Sequence, residues 1–408
     1  MAGVRRIHRA KTNLRASPAE LERHQTEALN LILDDAMRTE PYRQLYGSRP
    51  PLERLEQLRS LPVIDRSYIT SFAVEDRLTR RLPGLETQRS TGSTGEAIES
   101  LRSPQETRYQ GTLVARQFLA QGIRPGIRRL VLDFGMGRAD PLIVRGSEGW
   151  IPGWAPIEAQ AETIRAFRPM VLEGPPSCLL ELAEFGCRSP VESIMTFGEV
   201  LTPADRQEIR HHFGADPLDL YSASEAGHIS WECARRSGYH VNADAVLVEV
   251  LDDEDRPVPV GGSGHIVLTT LWNPTMPLIR YRIGDVGALL PDRCACGITL
   301  PLMTQVEGRD CDRLAAYDGR RVSCQRFSLS PIGPYHSVIR RWRLVQRAVD
   351  DILVEVVWKA GPVPDLARKM KEAYSRELGG AVNVELRSVN RLSVAPGGKY
   401  RWVESRVV

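Results

Sequence analysis

Near the start of the chain, Leu21, Ala28, Leu29, Ile32 and Ala36 recur at helical spacing behind Ser17-Pro18-Ala19-Glu20. A hydroxyl residue three positions before a Glu, with Pro at the first helical position, predicts a capped helix start. Ser103-Pro104-Gln105-Glu106 repeats the signature, with Leu113, Val114 and Phe118 behind it and Gly122 as its stop. Short apolar runs predict strands over 130–134, 191–197, 246–251, 265–271 and 278–283. Strands alternating with capped helices predict an α/β fold.

The tail carries its own pattern. A strand-like run covers 352–358, and Leu366, Met370, Ala373, Tyr374 and Leu378 follow at helical spacing up to Gly379. Val382, Val384 and Leu386 then alternate as a strand. This reads as a compact β-α-β unit, with Gly308-Arg309-Asp310-Cys311-Asp312 as the boundary before it. The expected organisation is a large domain, 1–310, of β-sheets flanked by helices, and a small mobile α+β domain, 311–408.

Composition narrows the function classes. A chain of 408 residues exceeds what one hydrophobic core usually holds. Its 54 Lys plus Arg nearly balance 51 Asp plus Glu, which speaks against nucleic acid as the main partner. No apolar run is long enough for a membrane span, and the N-terminus lacks an apolar leader, so no membrane association is expected. The basic start (Arg5, Arg6, His8, Arg9, Lys11, Arg15) reads as a solvated end. Seven unevenly spaced Cys argue against a disulfide framework and for a reducing cytoplasm.

Four segments carry candidate chemistry. Ser90-Thr91-Gly92-Ser93-Thr94-Gly95 offers hydroxyls and free N–H groups on a backbone that glycine lets approach a ligand. Alone, such a run is more often a flexible loop, and it lacks the Lys of a Walker motif. Tyr221-Ser222-Ala223-Ser224-Glu225 presents a ring for a base, hydroxyls for phosphate and a carboxylate for Mg²⁺, or else an ordinary turn. In Arg280-Tyr281-Arg282-Ile283-Gly284-Asp285, the Asp follows a strand and a Gly, where it could take both ribose hydroxyls or simply close a turn. Lys399, in Pro396-Gly397-Gly398-Lys399-Tyr400-Arg401, is a mobile point charge or a surface lysine.

The order of these segments resembles the acyl- and aryl-adenylating (AMP-forming) superfamily, and specifically its phenylacetate–CoA ligase-like branch. Phe197-Gly198-Glu199, Trp231-Glu232-Cys233, the Pro277–Arg282 run and Cys294-Ala295-Cys296-Gly297 carry the branch likeness, which runs over roughly residues 20 to 405. The resemblance implies ATP-dependent, Mg²⁺-assisted adenylation of a small carboxylic acid, pyrophosphate release, and transfer to a thiol, coenzyme A foremost. By the same resemblance, residues 90–95 would hold the ATP phosphates. Gly198, Glu199 and Tyr221 would line the adenine site, with Ser222 beside them. Ser224 would contact phosphate and Glu225 would coordinate Mg²⁺. Asp285 would bind ribose with Arg309 nearby, Asp312 would be the hinge, and Lys399 would bridge the acid and the α-phosphate.

The acyl pocket implied by the family comprises Phe134, Gly135, Phe197 and Ala223, where aromatic walls beside small residues suit a flat acid. The Gly135-x-Gly137 pair invites a dinucleotide reading, which fails because Asp140 stands where the third Gly belongs. Cys233, His240, Cys294 and Cys296 form a closed Cys₃His set, and relatives with similar residues bind structural Zn²⁺. One departure stands out. Many relatives follow the phosphate loop with Lys-Pro, whereas this chain has Glu96-Ala97, which should weaken the pull on departing pyrophosphate. The alternatives are transfer to a carrier protein or an amine, or a degenerate member that binds nucleotide or acyl ligand without turnover. A homodimer is the expected assembly.

Overall fold

The computed structural model describes residues 13–89, 98–124, 126–134, 142–153, 155–309, 314–322, 335, 338–359, 361–390, 392 and 403–407. The chain divides into two compact units. The first comprises the chain to Leu201 with Asp205–Ile283 and Gly287–Gln305, and the second comprises Thr202–Ala204, Gly284–Val286 and the chain from Val306 onward.

Both expected capping boxes are present. Ser17 caps a helix over Pro18–Ala36, which buries Leu21, Leu29, Ile32, Leu33 and Ala36. Ser103 caps Pro104–Ala120, whose buried face is mostly polar: Glu106, Gln110, Thr112, Leu113, Arg116 and Gln117. Those groups are bonded to distant backbone and side chains. Glu106 accepts from the Thr275 N–H at 2.8 Å, and Gln110 Oε1 accepts from the His228 N–H at 3.0 Å. Gly227 permits this approach, since a Cβ there would lie 2.5 Å from Gln110 Oε1, and its φ is +77°.

The core of the first unit is a ten-stranded sheet. Its order is Leu289–Leu290, Leu302–Met303, Tyr239–Val241, Gly227–Glu232, Leu218–Ala223, Ser193–Phe197, Val171–Gly174, Arg129–Asp133, Glu148–Pro152 and Ile143–Arg145. The centre is parallel, from Leu218–Ala223 through Ser193–Phe197 and Val171–Gly174 to Arg129–Asp133. Leu130, Leu132, Ile151, Leu172 and Ile194 pack with Ile164, Leu179, Leu182, Ile209 and Phe213, which the helices Ile157–Phe167, Pro176–Glu184 and Pro203–Phe213 supply. Burial on both faces is why these central strands read as continuous apolar runs. Among the described residues, no helix is long and apolar enough to cross a membrane.

Val246–Leu251 pairs antiparallel with Gly264–Thr270, as the pattern anticipates within one residue. The strand expected over 278–283 is instead Tyr281–Gly287. Residues 278–280 spend their N–H groups elsewhere: Leu278 on Thr270 Oγ1 (3.3 Å), Ile279 on Tyr42 Oη (2.8 Å) and Arg280 on Thr269 Oγ1 (2.9 Å). Arg280 has φ 47°, which ends any extended run before it.

The second unit has a four-stranded sheet in the order Asn383–Ser388, Asp351–Trp358, Ile339–Ala348, Val403–Ser405. The helix Leu366–Leu378 buries Leu366, Met370, Tyr374 and Leu378 in this unit's core and stops at Gly379, with φ 75°. The expected β-α-β element is there, extended by Ile339–Ala348 and Val403–Ser405.

Candidate active site and metal centre

Two neighbouring strands end side by side. Ser193–Phe197 and Leu218–Ala223 run parallel, with Phe197 opposite Leu220. Phe197-Gly198-Glu199 and Tyr221-Ser222-Ala223-Ser224-Glu225 therefore leave the sheet at the same carboxyl edge, where open α/β sheets bind ligands. Gly198 turns the chain there with φ 78°. Glu199 accepts from the Ser177 N–H (3.1 Å) and Oγ (2.9 Å) at the start of Pro176–Glu184, an anion at a helix N-terminus that fixes this loop. Phe197, Tyr221, Ser222, Ala223 and Ser224 are all half-buried. The Phe134 ring packs against Gly153, where an added Cβ would come within 2.3 Å of it.

Glu225 is buried at 3% exposure, and two donors hold its Oε1: Tyr281 Oη at 3.2 Å and Arg66 Nη2 at 3.4 Å. Arg66 opens the short helix Arg66–Thr70, whose cap is the Asp65 carboxylate on the Tyr68 N–H. The Ser224 carbonyl accepts from Arg102 Nη2 and from Ser100 Oγ. Arg102 lies 4.9 Å over the Trp272 ring, and burial pulls its pKa down to about 10, so it stays charged at neutral pH. Neither Arg66 nor Arg102 stood out in the sequence. They lie 159 and 122 positions from their partners, and no local spacing marks such pairs.

Asp285 and Arg309 belong to the second unit and are register partners across an antiparallel ladder. Asp285 lies inside the strand Tyr281–Gly287, directly after Gly284 at φ 86°, rather than beyond the strand's end. Residues 90–95, Gly135, Asp312 and Lys399 lie outside the described residues.

Cys233, His240, Cys294 and Cys296 converge so that their ligand atoms all lie within 4.8 Å of one another. Cys233 Sγ is 3.6 Å from Cys294 Sγ, and Cys296 Sγ is 3.3 Å from His240 Nε2. The backbone explains the meeting. Cys233 follows Gly227–Glu232, His240 faces Trp231 on the adjoining strand, and the Cys294–Cys296 turn precedes Leu302–Met303, the next strand across. Burial pushes the Cys296 thiol up to about 12 and pulls His240 down to about 4, whereas hydrogen bonds from Cys296, Cys233 and Ser237 outweigh burial and hold the Cys294 thiol below its ordinary value. Three thiols and a neutral imidazole packed this closely fit a tetrahedral soft cation.

The chain aligns with phenylacetate–coenzyme A ligases from two bacteria. It is 32% identical to the Thermus thermophilus protein over 242 residues, which is 55% of this chain and 54% of that one. It is 28% identical to the Escherichia coli protein over 337 residues, 73% of each. This chain is a relative of the phenylacetate–coenzyme A ligases. No protein-family model matches it. Among solved structures, 2-hydroxyisobutyryl-CoA ligase, crystallised in its postadenylation state with an acyl-AMP, superposes with a TM-score of 0.78. At 19% identity over 96% of this chain and 91% of that one, the likeness fixes the adenylate-forming ligase fold for this phenylacetate–coenzyme A ligase relative.

Proposed function

We propose that the protein joins a small, aromatic carboxylic acid to AMP at the expense of ATP, then passes the acyl group to coenzyme A. The observation that carries this reading is the meeting of Phe197–Glu199 with Tyr221–Glu225 at one carboxyl edge of the parallel sheet. The named activities of the aligned ligases support the same reaction class.

A carboxylate is a poor electrophile because its leaving group would be hydroxide. Attack of its oxygen on the α-phosphorus forms a C–O–P link and breaks the bond to pyrophosphate, so AMP becomes the later leaving group. Two anions must meet for that step, and positive charge at the meeting point lowers its barrier. Lys399 supplies one charge, and Mg²⁺ held by Glu225 would draw off charge on the phosphates. A single buried carboxylate suits Mg²⁺, which takes one or two from the protein and the rest from phosphate and water. The Arg66 and Tyr281 donors hold one of the Glu225 oxygens in place. Tyr221 stacks on adenine, Ser224 bonds phosphate, and Asp285 takes the ribose hydroxyls. The second unit's move about Asp312 would then remove Lys399 and admit the thiol.

Given ATP, Mg²⁺ and a panel of aryl acids, the purified protein should exchange labelled pyrophosphate into ATP with at least one of them. Mass analysis with coenzyme A, a pantetheinylated carrier and simple amines then names the acceptor. No exchange with any acid would leave the degenerate, binding-only reading standing.

Zinc in the Cys₃His cluster would pin the edge strands and take no part in the chemistry. Metal analysis should find about one zinc per chain. Removing it with a strong chelator should lower the unfolding midpoint by several degrees, on the order of a few kcal/mol, and Cys294→Ser should do the same without chelator. Retention of full stability after complete zinc removal, or absence of bound metal from the purified protein, would refute the site.

A further inference from the structure

An acidic residue stands in the middle of the large sheet, between two buried leucines. Asp219 lies between Leu218 and Leu220, is only 5% exposed, and takes no part in the proposed reaction. Burial pushes its carboxyl up to about 7. Hydroxyls from two other strands hold its two oxygens. Thr196 Oγ1 donates to Oδ1 at 2.5 Å, and Tyr239 Oη donates to Oδ2 at 2.7 Å. The Asp219 N–H donates to Glu232 Oε2 at 2.9 Å, and Glu232 in turn takes Arg206 Nη2 at 2.8 and 2.9 Å. The places of these partners in the chain matter. Thr196 precedes Phe197-Gly198-Glu199, and Asp219 stands two residues before Tyr221. Tyr239 precedes His240, and Glu232 precedes Cys233. One buried network therefore joins both strand ends of the candidate adenine site to the strands that carry two of the clustered metal ligands.

A buried carboxyl is costly, and a hydrocarbon would fill the same place at less cost if packing were its only task. The Asp219 bonds do something packing cannot: they fix the position of one strand against another atom by atom. We propose that Asp219 is a positioning residue, through which the Cys₃His centre sets the geometry of the Phe197–Glu199 and Tyr221–Glu225 segments. Ligation at His240 would fix the neighbouring Tyr239, whose hydroxyl holds Asp219, which in turn holds Thr196. Glu232, fixed beside Cys233, braces the Asp219 backbone from the next strand. Loss of the metal would free Tyr239, leave a buried Asp219 oxygen without its donor, and loosen both segments. Coupling of this kind is reciprocal, so a ligand that tightens those segments also tightens the metal. The inference rests on the adenylation reading only for what the segments bind, and adds that the metal centre acts on them.

The experiment compares the whole chain loaded with zinc and stripped by a chelator, at a temperature where both forms stay folded. Amide hydrogen exchange is read peptide by peptide. In wild type, stripping should speed exchange about threefold or more over 197–199 and 219–225, and leave the distant helix Leu366–Leu378 unchanged. Tyr239→Phe removes the hydroxyl that links the metal strand to Asp219, and should cut the zinc-dependent change at 197–199 by at least half. Thr196→Val keeps the shape of the side chain and loses its hydroxyl. It should remove the change at 197–199 and keep it at 219–225, a split that a general loss of stability would not produce, and it serves if Tyr239→Phe fails to fold. ATP affinity is measured on the same samples, and stripping should weaken it about fivefold or more in wild type. The proposal falls if the protein takes up no zinc, if stripping leaves exchange over both segments unchanged, or if both variants respond to stripping as wild type does. Absence of ATP binding in either form would instead count against the adenylation reading, while the exchange data still decide this one.

Discussion

Lys399→Ala is expected to cut acid-dependent pyrophosphate exchange by on the order of 10² or more, the usual loss when a preorganised charge is removed from a charge-developing step. The reason lies in the reactants. The carboxylate and the α-phosphate each carry negative charge, and the pentavalent arrangement concentrates it between them. The lysine that follows Gly397-Gly398 in the sequence carries a compact cation on a flexible stem. Thioester formation from supplied acyl-AMP breaks the link already made and expels AMP, so the same variant should keep most of that half-reaction. Lys399→Arg should recover exchange only in part, because a planar fork places its charge differently. Circular dichroism and unfolding midpoint should match wild type. Exchange at wild-type level in a folded Lys399→Ala protein would show that another cation does this work.

How far the chain's own letters reach depends on how local each cause is. The two capping boxes were legible because Ser and Glu three positions apart bond each other's backbone whatever else the protein does. The Leu366–Leu378 helix was legible for a like reason, with one apolar stripe and a glycine stop. The strand Ile339–Ala348 was not. Charged Arg340, Arg341, Arg343 and Arg347 break its alternation, and register shifts at Ile339/Arg341 and Gln346/Ala348 displace the period of two. The start of Tyr281–Gly287 was misread because Leu278 and Ile279 look strand-like, while side chains far away claim their N–H groups. The Cys₃His set was legible across 61 residues because few residue types bind a soft metal. Arginines carry no such label. Arg66 and Arg102 brace the 224–225 turn, Arg116 is fully buried, and Arg77 faces a cavity, yet in the sequence all four look like surface charge.

Asp244→Ala is expected to destabilise the first unit by about 3–5 kcal/mol, the cost of leaving a buried charge without its partner. Arg116 is wholly buried, and its guanidinium meets Asp244 as a fork: Nη1 to Oδ2 at 2.6 Å and Nη2 to Oδ1 at 2.7 Å. Asn242 Oδ1 accepts a further bond at 2.7 Å, and Asn13 Nδ2 donates to the same carboxylate at 2.8 Å. His24 and Gln25, from Pro18–Ala36, bond the Asp244 and Ala243 carbonyls at 3.1 and 2.7 Å. The 242–245 turn thus holds Pro18–Ala36 and Pro104–Ala120 together through polar bonds. Burial works to raise the Asp244 pKa, but Arg116 more than offsets it, and the carboxyl is held below its ordinary value. Its contribution is therefore present above the unfolded value of about 3.9 and lost as pH falls through the folded one. Urea unfolding at neutral pH should show the full loss, and the gap between variant and wild type should close in acid. The double variant Arg116→Met, Asp244→Leu should recover most of the stability, because an apolar pair needs no compensation. A single variant that loses less than about 1 kcal/mol would mean that Arg116 finds another acceptor, and that this ion pair is not what ties the two helices to the turn.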